Sequence, residues 1–251
     1  MVARGKRWSR IGGTNDRSRG LTRQQLNLHI PPRVLYSAEN FHVHAGVGPL
    51  IEACEALVPQ EQFRLLFLSG TPRSGKTHLA VKLSDIFGQA GRYPRLVSGE
   101  EMPEIVARGE TGRAADEILI IDDADRWLSH FGPGTGGPFV AFIEQLRLAR
   151  AGVVLLSRCE IDSFSFDDHV RSRLLPATAL RLGDPGEGDM AALIRLMSRQ
   201  RGISLSERKI AFLVRRLQRS TAAIAEYMER VEHLADVLSE PVHFPILGDA
   251  I

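Results

Sequence analysis

The sequence predicts an α/β fold: a five-stranded parallel sheet covered by helices on both faces, followed by a smaller all-α domain. Three observations predict it. Short aliphatic runs alternate with segments of helical period; a glycine-rich phosphate-loop pattern stands where one run gives way to a helix; and strand signals stop near Gly188, leaving helical periodicity alone. Parallel strands are buried on both faces, so they read as unbroken apolar stretches rather than as strict alternation.

The elements follow in order. Residues 64–69 (RLLFLS) are a strand-sized apolar run, and residues 76–88 carry Leu79, Val81, Leu83 and Ile86 at helical spacing. A weak strand is expected at 93–97, a helix at 101–107, and the strongest strand at 117–121. An amphipathic helix at 139–149 leads to a buried strand at 152–156 (GVVLL), and a last short strand falls at 179–182. Residues 183–188 (GDPGEG) form a turn-rich linker at which the chain can hinge. Beyond it, 191–201, 206–218 and 221–238 bear apolar residues at three- and four-residue intervals, so a helical domain over 185–251 follows an α/β domain over 33–184. Ser206 suits an N-cap, although Lys209 three residues on makes no capping box.

At 251 residues, 43 % hydrophobic and 25 % charged, the chain has an ordinary globular composition. No apolar run approaches the roughly 18 residues of a membrane span. The two cysteines, Cys54 and Cys159, lie too far apart in sequence for metal-ligand spacing and are expected to be buried thiols in a reducing compartment; a disulfide framework is excluded. Charge is uneven: residues 1–23 hold Arg4, Lys6, Arg7, Arg10, Arg17, Arg19 and Arg23 against Asp16, so this stretch is net +6 and the remainder net −4. With few apolar side chains it is expected to be a disordered tail (1–24) able to touch nucleic acid electrostatically, and no apolar segment of signal-peptide type follows its charges.

Gly70-Thr71-Pro72-Arg73-Ser74-Gly75-Lys76-Thr77 fits G-x-x-x-x-G-K-[ST] between a strand and a helix. Glycines let the backbone N–H groups turn inward onto phosphate oxygens, Lys76 reaches the β and γ phosphates, and the Thr77 hydroxyl suits Mg²⁺. Ile118-Leu119-Ile120-Ile121-Asp122-Asp123 delivers two carboxylates to a strand end, with Asp122 a magnesium partner and Asp123 a water-polarising residue. Ser157, closing the fourth strand, is placed beside the γ phosphate, and Arg173 lies on the surface before the last strand, from where an arginine can reach a neighbouring subunit's nucleotide. His42 and His44 have no third ligand nearby and read as surface loop residues; Trp127 and Phe131 are expected to pack under the loop after the carboxylates, and 132–137 to form a flexible loop.

GTPRSGKT, ILIIDD, VRSRL and the C-terminal helical lid together resemble the AAA+ P-loop ATPases and, within them, DnaA-type initiators. Asn40-Phe41 in YSAENF resembles the family's adenine-holding segment, and the chain stops at Ile251 without the helix-turn-helix domain of initiators. Gln25-Leu26-Asn27-Leu28-His29-Ile30 is similar to the clamp-binding hexapeptide of the Hda family of DnaA-related regulators, followed by Pro31-Pro32. This resemblance implies a bacterial cytoplasmic protein that binds ATP or ADP with Mg²⁺. It implies docking on the DNA polymerase sliding clamp (its β subunit) through residues 25–32, with contact to DNA made indirectly and none to membrane. It further implies negative regulation of replication initiation: Arg173 is presented in trans to ATP bound by DnaA, promoting hydrolysis there, and a homodimer is a further expected assembly. Three positions depart from the family: Ala222 stands at the lid's sensor arginine, Arg158 at an acidic sensor position, and His29 where the hexapeptide has proline. Weak intrinsic turnover follows. Two other readings stay open, an initiator- or loader-type ATPase acting directly on nucleic acid and a non-catalytic nucleotide-bound adaptor.

Overall fold

A computed structural model of the chain describes residues 36–59, 62–110, 116–238 and 242–251, all within one compact unit, Arg33–Ile251. The basic tail and the hexapeptide at 25–30 lie outside the described residues. Five strands, β1 (Arg64–Ser69), β2 (Tyr93–Ser98), β3 (Glu117–Asp122), β4 (Gly152–Ser157) and β5 (Thr178–Arg181), form one all-parallel sheet in the order β2-β3-β4-β1-β5. β1 therefore runs between β4 and β5, and the ends of β1, β3 and β4 converge on one edge. This crossing order opens a crevice at the strand C-termini, where open α/β sheets bind ligands.

Residue parity along the strands divides the core. Leu65, Phe67, Leu119, Ile121, Val153 and Leu155 pack on one face under α3 (Met102–Ala107), α4 (Ala124–Leu128), α5 (Gly137–Ala149) and α6 (Asp168–Leu174). Leu66, Leu68, Ile118, Ile120, Val154 and Leu156 pack on the other under α1 (Gly48–Glu55) and α2 (Lys76–Gln89). The α/β expectation is met in detail: each predicted strand is present, shifted by at most one residue at either end. Three short helices, α1, α4 and α6, carry too few apolar repeats to stand out in the sequence. Trp127 and Phe131 do pack inward, their rings 5.2 Å apart, with Phe139 and Phe142 beside them.

The C-terminal helices α7 (Met190–Gln200), α8 (Glu207–Val214), α9 (Thr221–Leu238) and α10 (Phe244–Asp249) enclose a separate core around Ile194, Leu213, Ile224, Tyr227 and Met228. α8 ends four residues earlier than its periodicity predicts. The linker is pinned: Gly183 N–H donates to the Gly46 carbonyl at 2.9 Å, and a Cβ on Gly46 would stand 2.2 Å from the Gly183 oxygen. Asp189 accepts from the N–H groups of Ala45 (3.1 Å) and Gly186 (2.9 Å), bonds that hold its carboxyl below the usual range. Among the described residues no helix is long and apolar enough to cross a membrane, and no cluster of three metal-ligating side chains occurs.

Candidate nucleotide site

The phosphate loop begins where β1 ends. Gly70 N–H donates to the Ser157 carbonyl at 3.0 Å, and a Cβ on Gly70 would meet Ser74 Oγ at 2.7 Å and Leu182 Cβ at 3.2 Å, so any larger residue here would push on the side chains around the loop. Arg73 (φ 62°) and Gly75 (φ 97°) are left-handed, and Gly75 leads directly into α2. Lys76 is 6 % exposed, and its ammonium donates to the Gly70 (2.8 Å) and Thr71 (2.9 Å) carbonyls. Burial lowers the Lys76 pKa, while Asp122 and Asp123 oppose the shift. Such an ammonium, resting on loop carbonyls beside the helix N-terminus, gains strongly from a polyanion.

At the neighbouring strand end, burial raises the Asp122 pKa, and the nearby Thr77 hydroxyl opposes the shift. Asp122 Oδ1 is buried without a partner, an orphan acceptor next to a hydroxyl donor set. Two hard oxygen donors with unspent lone pairs suit Mg²⁺, so Thr77 and Asp122 fit the ion the motif calls for. Asp123 takes a left-handed conformation (φ 47°) that turns its side chain off the strand direction toward the cleft. Gly99 makes room for that turn, since a Cβ there would stand 2.3 Å from the Asp123 carbonyl.

These groups line one wall of a cleft of about 400 Å³ between the sheet edge and the helical region. Tyr36, Phe41 and His78 form its aromatic end, with the His78 ring 5.2 Å from Tyr36 and 5.1 Å from Phe41. His78 Nε2 lies 2.8 Å from the Ser37 carbonyl; burial lowers its pKa and that bond opposes the shift. Leu193 and Met197 of α7 close the apolar end. Aromatic and apolar walls of this kind, in the same cleft as the phosphate loop, suit a base. Asn40 is exposed and not among the cleft-lining residues; Phe41 is the member of the pair that faces it.

The structure separates other sequence-predicted residues. Ser157 is fully enclosed, its Oγ donating to the Cys159 carbonyl (2.8 Å) and accepting from Cys159 N–H (3.0 Å); the cleft is lined by Arg158 instead. Arg158 is held by Asp125 Oδ2 at 2.7–2.9 Å. Burial pushes the Asp125 carboxyl up, yet hydrogen bonds and charge from Arg158 outweigh it and hold the carboxyl low. Arg173 is not in this cleft. It sits at the opposite edge, by a cavity of about 750 Å³ that Arg64, Arg147 and Arg150 also line, with its Nε 3.3 Å from Glu144.

Three expectations need correction. Ala222 does not face the cleft: the row of α9 that does is Thr221, Ala225 and Glu229, four residues apart on the helix. Glu229 instead accepts from Arg73 of the phosphate loop at 2.9 Å, with Glu226 at 3.9 Å. His44 is not a surface residue; it is 5 % exposed, its Nδ1 accepting from Gly46 N–H at 3.2 Å, while His42 approaches Asp189 at 3.4 Å. Cys159 is exposed, and Cys54 alone is a buried thiol. Sequence reasoning missed Asp125, His78 and the Arg73–Glu229 pair. Asp125 and His78 lie within two residues of the motifs, a position that could have flagged them, but nothing local links Arg73 to a glutamate in the last third of the chain.

No family model and no curated protein matches the chain. Among solved structures it is similar to domain III of the Thermotoga maritima replication initiation protein DnaA, with a TM-score of 0.67 and 19 % identity over 86 % of this chain and 95 % of that one. It is also similar to the T. maritima RuvB Holliday junction branch migration motor (TM-score 0.60, 16 % identity, 86 % and 71 % covered). A replication initiator DnaA bound to AMPPCP and single-stranded DNA gives a TM-score of 0.57 at 17 % identity, 86 % and 79 % covered. The five-stranded parallel sheet with its C-terminal helical region is AAA+ P-loop NTPase architecture.

Proposed function

We propose that the chain is an adenine-nucleotide-binding AAA+ ATPase of the DnaA/RuvB type that acts directly on nucleic acid, with slow turnover of its own nucleotide. One observation carries the reading: a phosphate loop, a two-carboxylate strand end and an aromatic slot converge on a single cleft roofed by the lid helices. The similar structures supply the nucleic-acid part, since one is bound to an ATP analogue and single-stranded DNA and another is a branch-migration motor.

The chain's own groups divide the work. Backbone N–H groups of residues 73–77, the last two opening α2, take the phosphate oxygens, and Lys76 exchanges the Gly70 and Thr71 carbonyls for them. Thr77 and Asp122 would hold Mg²⁺, which when bound neutralises charge on the phosphates. Asp123, turned toward the cleft, polarises the attacking water, and Arg158 offers a guanidinium to the same end of the cleft. Slow turnover follows because the cleft-facing row of α9 brings Glu229 and no cation, while the lid's cleft-lining cation, Arg201, is engaged by Glu232 at 3.8 Å and by the Met197 carbonyl at 3.3 Å. Calorimetry with ADP or ATP and Mg²⁺ tests binding, with Lys76→Ala expected to abolish the heat. Oligonucleotide affinity measured with and without an ATP analogue tests the nucleic-acid part; the absence of any oligonucleotide binding would remove it.

A second reading is favoured by two specific observations. Arg173 stands across the sheet from its own nucleotide cleft, among three other arginines, a place that supports contact with a nucleotide held by another molecule rather than with this chain's own. The hexapeptide Gln25–Ile30 in turn suits a sliding clamp. On this reading the chain, tethered to the clamp, presents Arg173 to ATP on a DnaA-type partner. Leu26→Ala with Leu28→Ala should then abolish clamp recovery, and Arg173→Ala should abolish stimulated hydrolysis in the partner while leaving nucleotide binding by this chain intact.

A further inference from the structure

Helix α8 turns Ile210 and Leu213 into the lid core and leaves Arg208 and Ala211 at the surface, with Arg215 and Arg216 exposed just past its C-terminal end. Two of these arginines are stacked on rings. Arg216 Cζ lies 4.1 Å from the Phe212 centroid and Arg208 Cζ 5.5 Å from that of Phe244, while the two rings meet edge to face at 5.7 Å. The result is a continuous guanidinium–ring–ring–guanidinium run, with Arg215 beside it donating only to the Ala211 carbonyl (3.2 Å). The carboxylate of α8, Glu207, is taken by Arg195 of α7 at 2.8–2.9 Å, and Arg219 beyond the run is paired with Glu187 at 3.0 Å. Among the described residues, Arg208, Arg215 and Arg216 therefore face solvent without an acidic partner.

Stacking fixes a guanidinium plane without consuming its N–H donors, so part of the side-chain entropy is already lost and the donor edge stays open. Fixed forks match phosphate oxygens, and ring and guanidinium faces are platforms on which unpaired bases stack. An acidic protein surface would need the charges but not the rings. We propose that this face of the lid binds the phosphodiester backbone of single-stranded nucleic acid through Arg208, Arg215 and Arg216, with the exposed Phe244 ring and the guanidinium held over Phe212 as stacking platforms. It rests on the reading that the chain acts directly on nucleic acid, and it locates the contact.

The test is anisotropy of a labelled oligothymidine about 20 nucleotides long with the full chain, ADP and Mg²⁺ over a range of salt. Replacing the three arginines by glutamine should lower affinity at least about tenfold and reduce the slope of log affinity against log salt by about 2, near 0.7 for each phosphate left without its guanidinium. ADP binding should be unchanged, which reports an intact fold. Phe244→Leu keeps every charge and should weaken binding a few-fold at constant slope. The basic tail is the same in all variants, so it cannot produce these differences. Binding by the wild type but equally by the triple variant would overturn the lid surface alone; displacement by polyglutamate as effective as by oligonucleotide would also overturn it. A wild type that fails to bind oligonucleotide would take the nucleic-acid reading down with it.

Discussion

Lys76 shows how far a single residue can be read from sequence. Its motif fixes its role, but its buried ammonium and its two carbonyl acceptors are consequences of the fold. Ser157 shows the limit: a serine closing β4 looks available, yet the turn at Arg158 and Cys159 folds back and takes both its hydrogen-bonding capacities. The cysteines differ in the same way. Burial pushes the Cys54 thiol up to about 12, with Glu55 adding to the shift, whereas Cys159 is open to solvent. One thiol per chain should react with a disulfide reagent under native conditions and two after unfolding; two fast equivalents in the native protein would contradict this. His44 carries a pH prediction. Burial lowers its pKa below 6.5, against the pull of Asp189, and burial likewise lowers His78. The unfolded chain thus takes up protons first, so the stability these residues contribute is complete above their unfolded pKa and is lost as pH falls through their folded values. Thermal midpoints should drop as pH is lowered from about 7 to about 5.5, and His44→Asn, which keeps an acceptor for Gly46 N–H, should flatten part of that slope; an unchanged slope would refute the assignment.

At the scale of elements, strands were legible and helix junctions were not. β3 and β4 each carry four unbroken aliphatic residues, Ile118–Ile121 and Val153–Leu156, because both faces are covered there, whereas β2 lies at the sheet edge and shows a broken pattern with Tyr93 70 % exposed. α8 reads four residues too long because Leu217 still packs against the lid core after the helix has ended. The strand order, which makes the crevice, has no local signature at all. The contact that most depends on tertiary structure is the Arg73–Glu229 pair joining the phosphate loop to α9. Both side chains are about half exposed, so the pair contributes at most about 1 kcal/mol to stability. Its effect should appear in nucleotide release instead. Arg73→Ala and Glu229→Gln are each expected to speed release by about two- to fivefold, with the double variant no faster than either, as required when both remove one coupling. Additive acceleration would show that the two act separately.

Across the whole molecule, the α/β core and the lid have separate apolar cores joined by a few polar pins: Gly183 to Gly46, Asp189 to Ala45, and Arg73 to Glu229. Their interface is mainly the cleft, lined from the lid side by Leu193, Met197, Thr221 and Ala225. Such a division implies unequal local stability, because opening the lid separates little apolar surface while opening the sheet exposes the buried aliphatic runs of β3 and β4. Amide exchange should therefore be faster across α7 and α9 than across β3 and β4 in the absence of nucleotide. A ligand that binds both walls stabilises the closed arrangement by about 2.7 kcal/mol at a hundredfold excess over its dissociation constant, which corresponds to roughly a hundredfold slowing of any exchange that requires lid opening. ADP with Mg²⁺ should then slow α7 and α9 and leave β3 and β4, which exchange through global unfolding, changed only as much as total stability rises. In Lys76→Ala the lid should stay fast with or without nucleotide. Uniform exchange across lid and sheet, or nucleotide protection confined to residues 70–77, would show that the ligand is held by the phosphate loop alone and that the lid is no part of the switch.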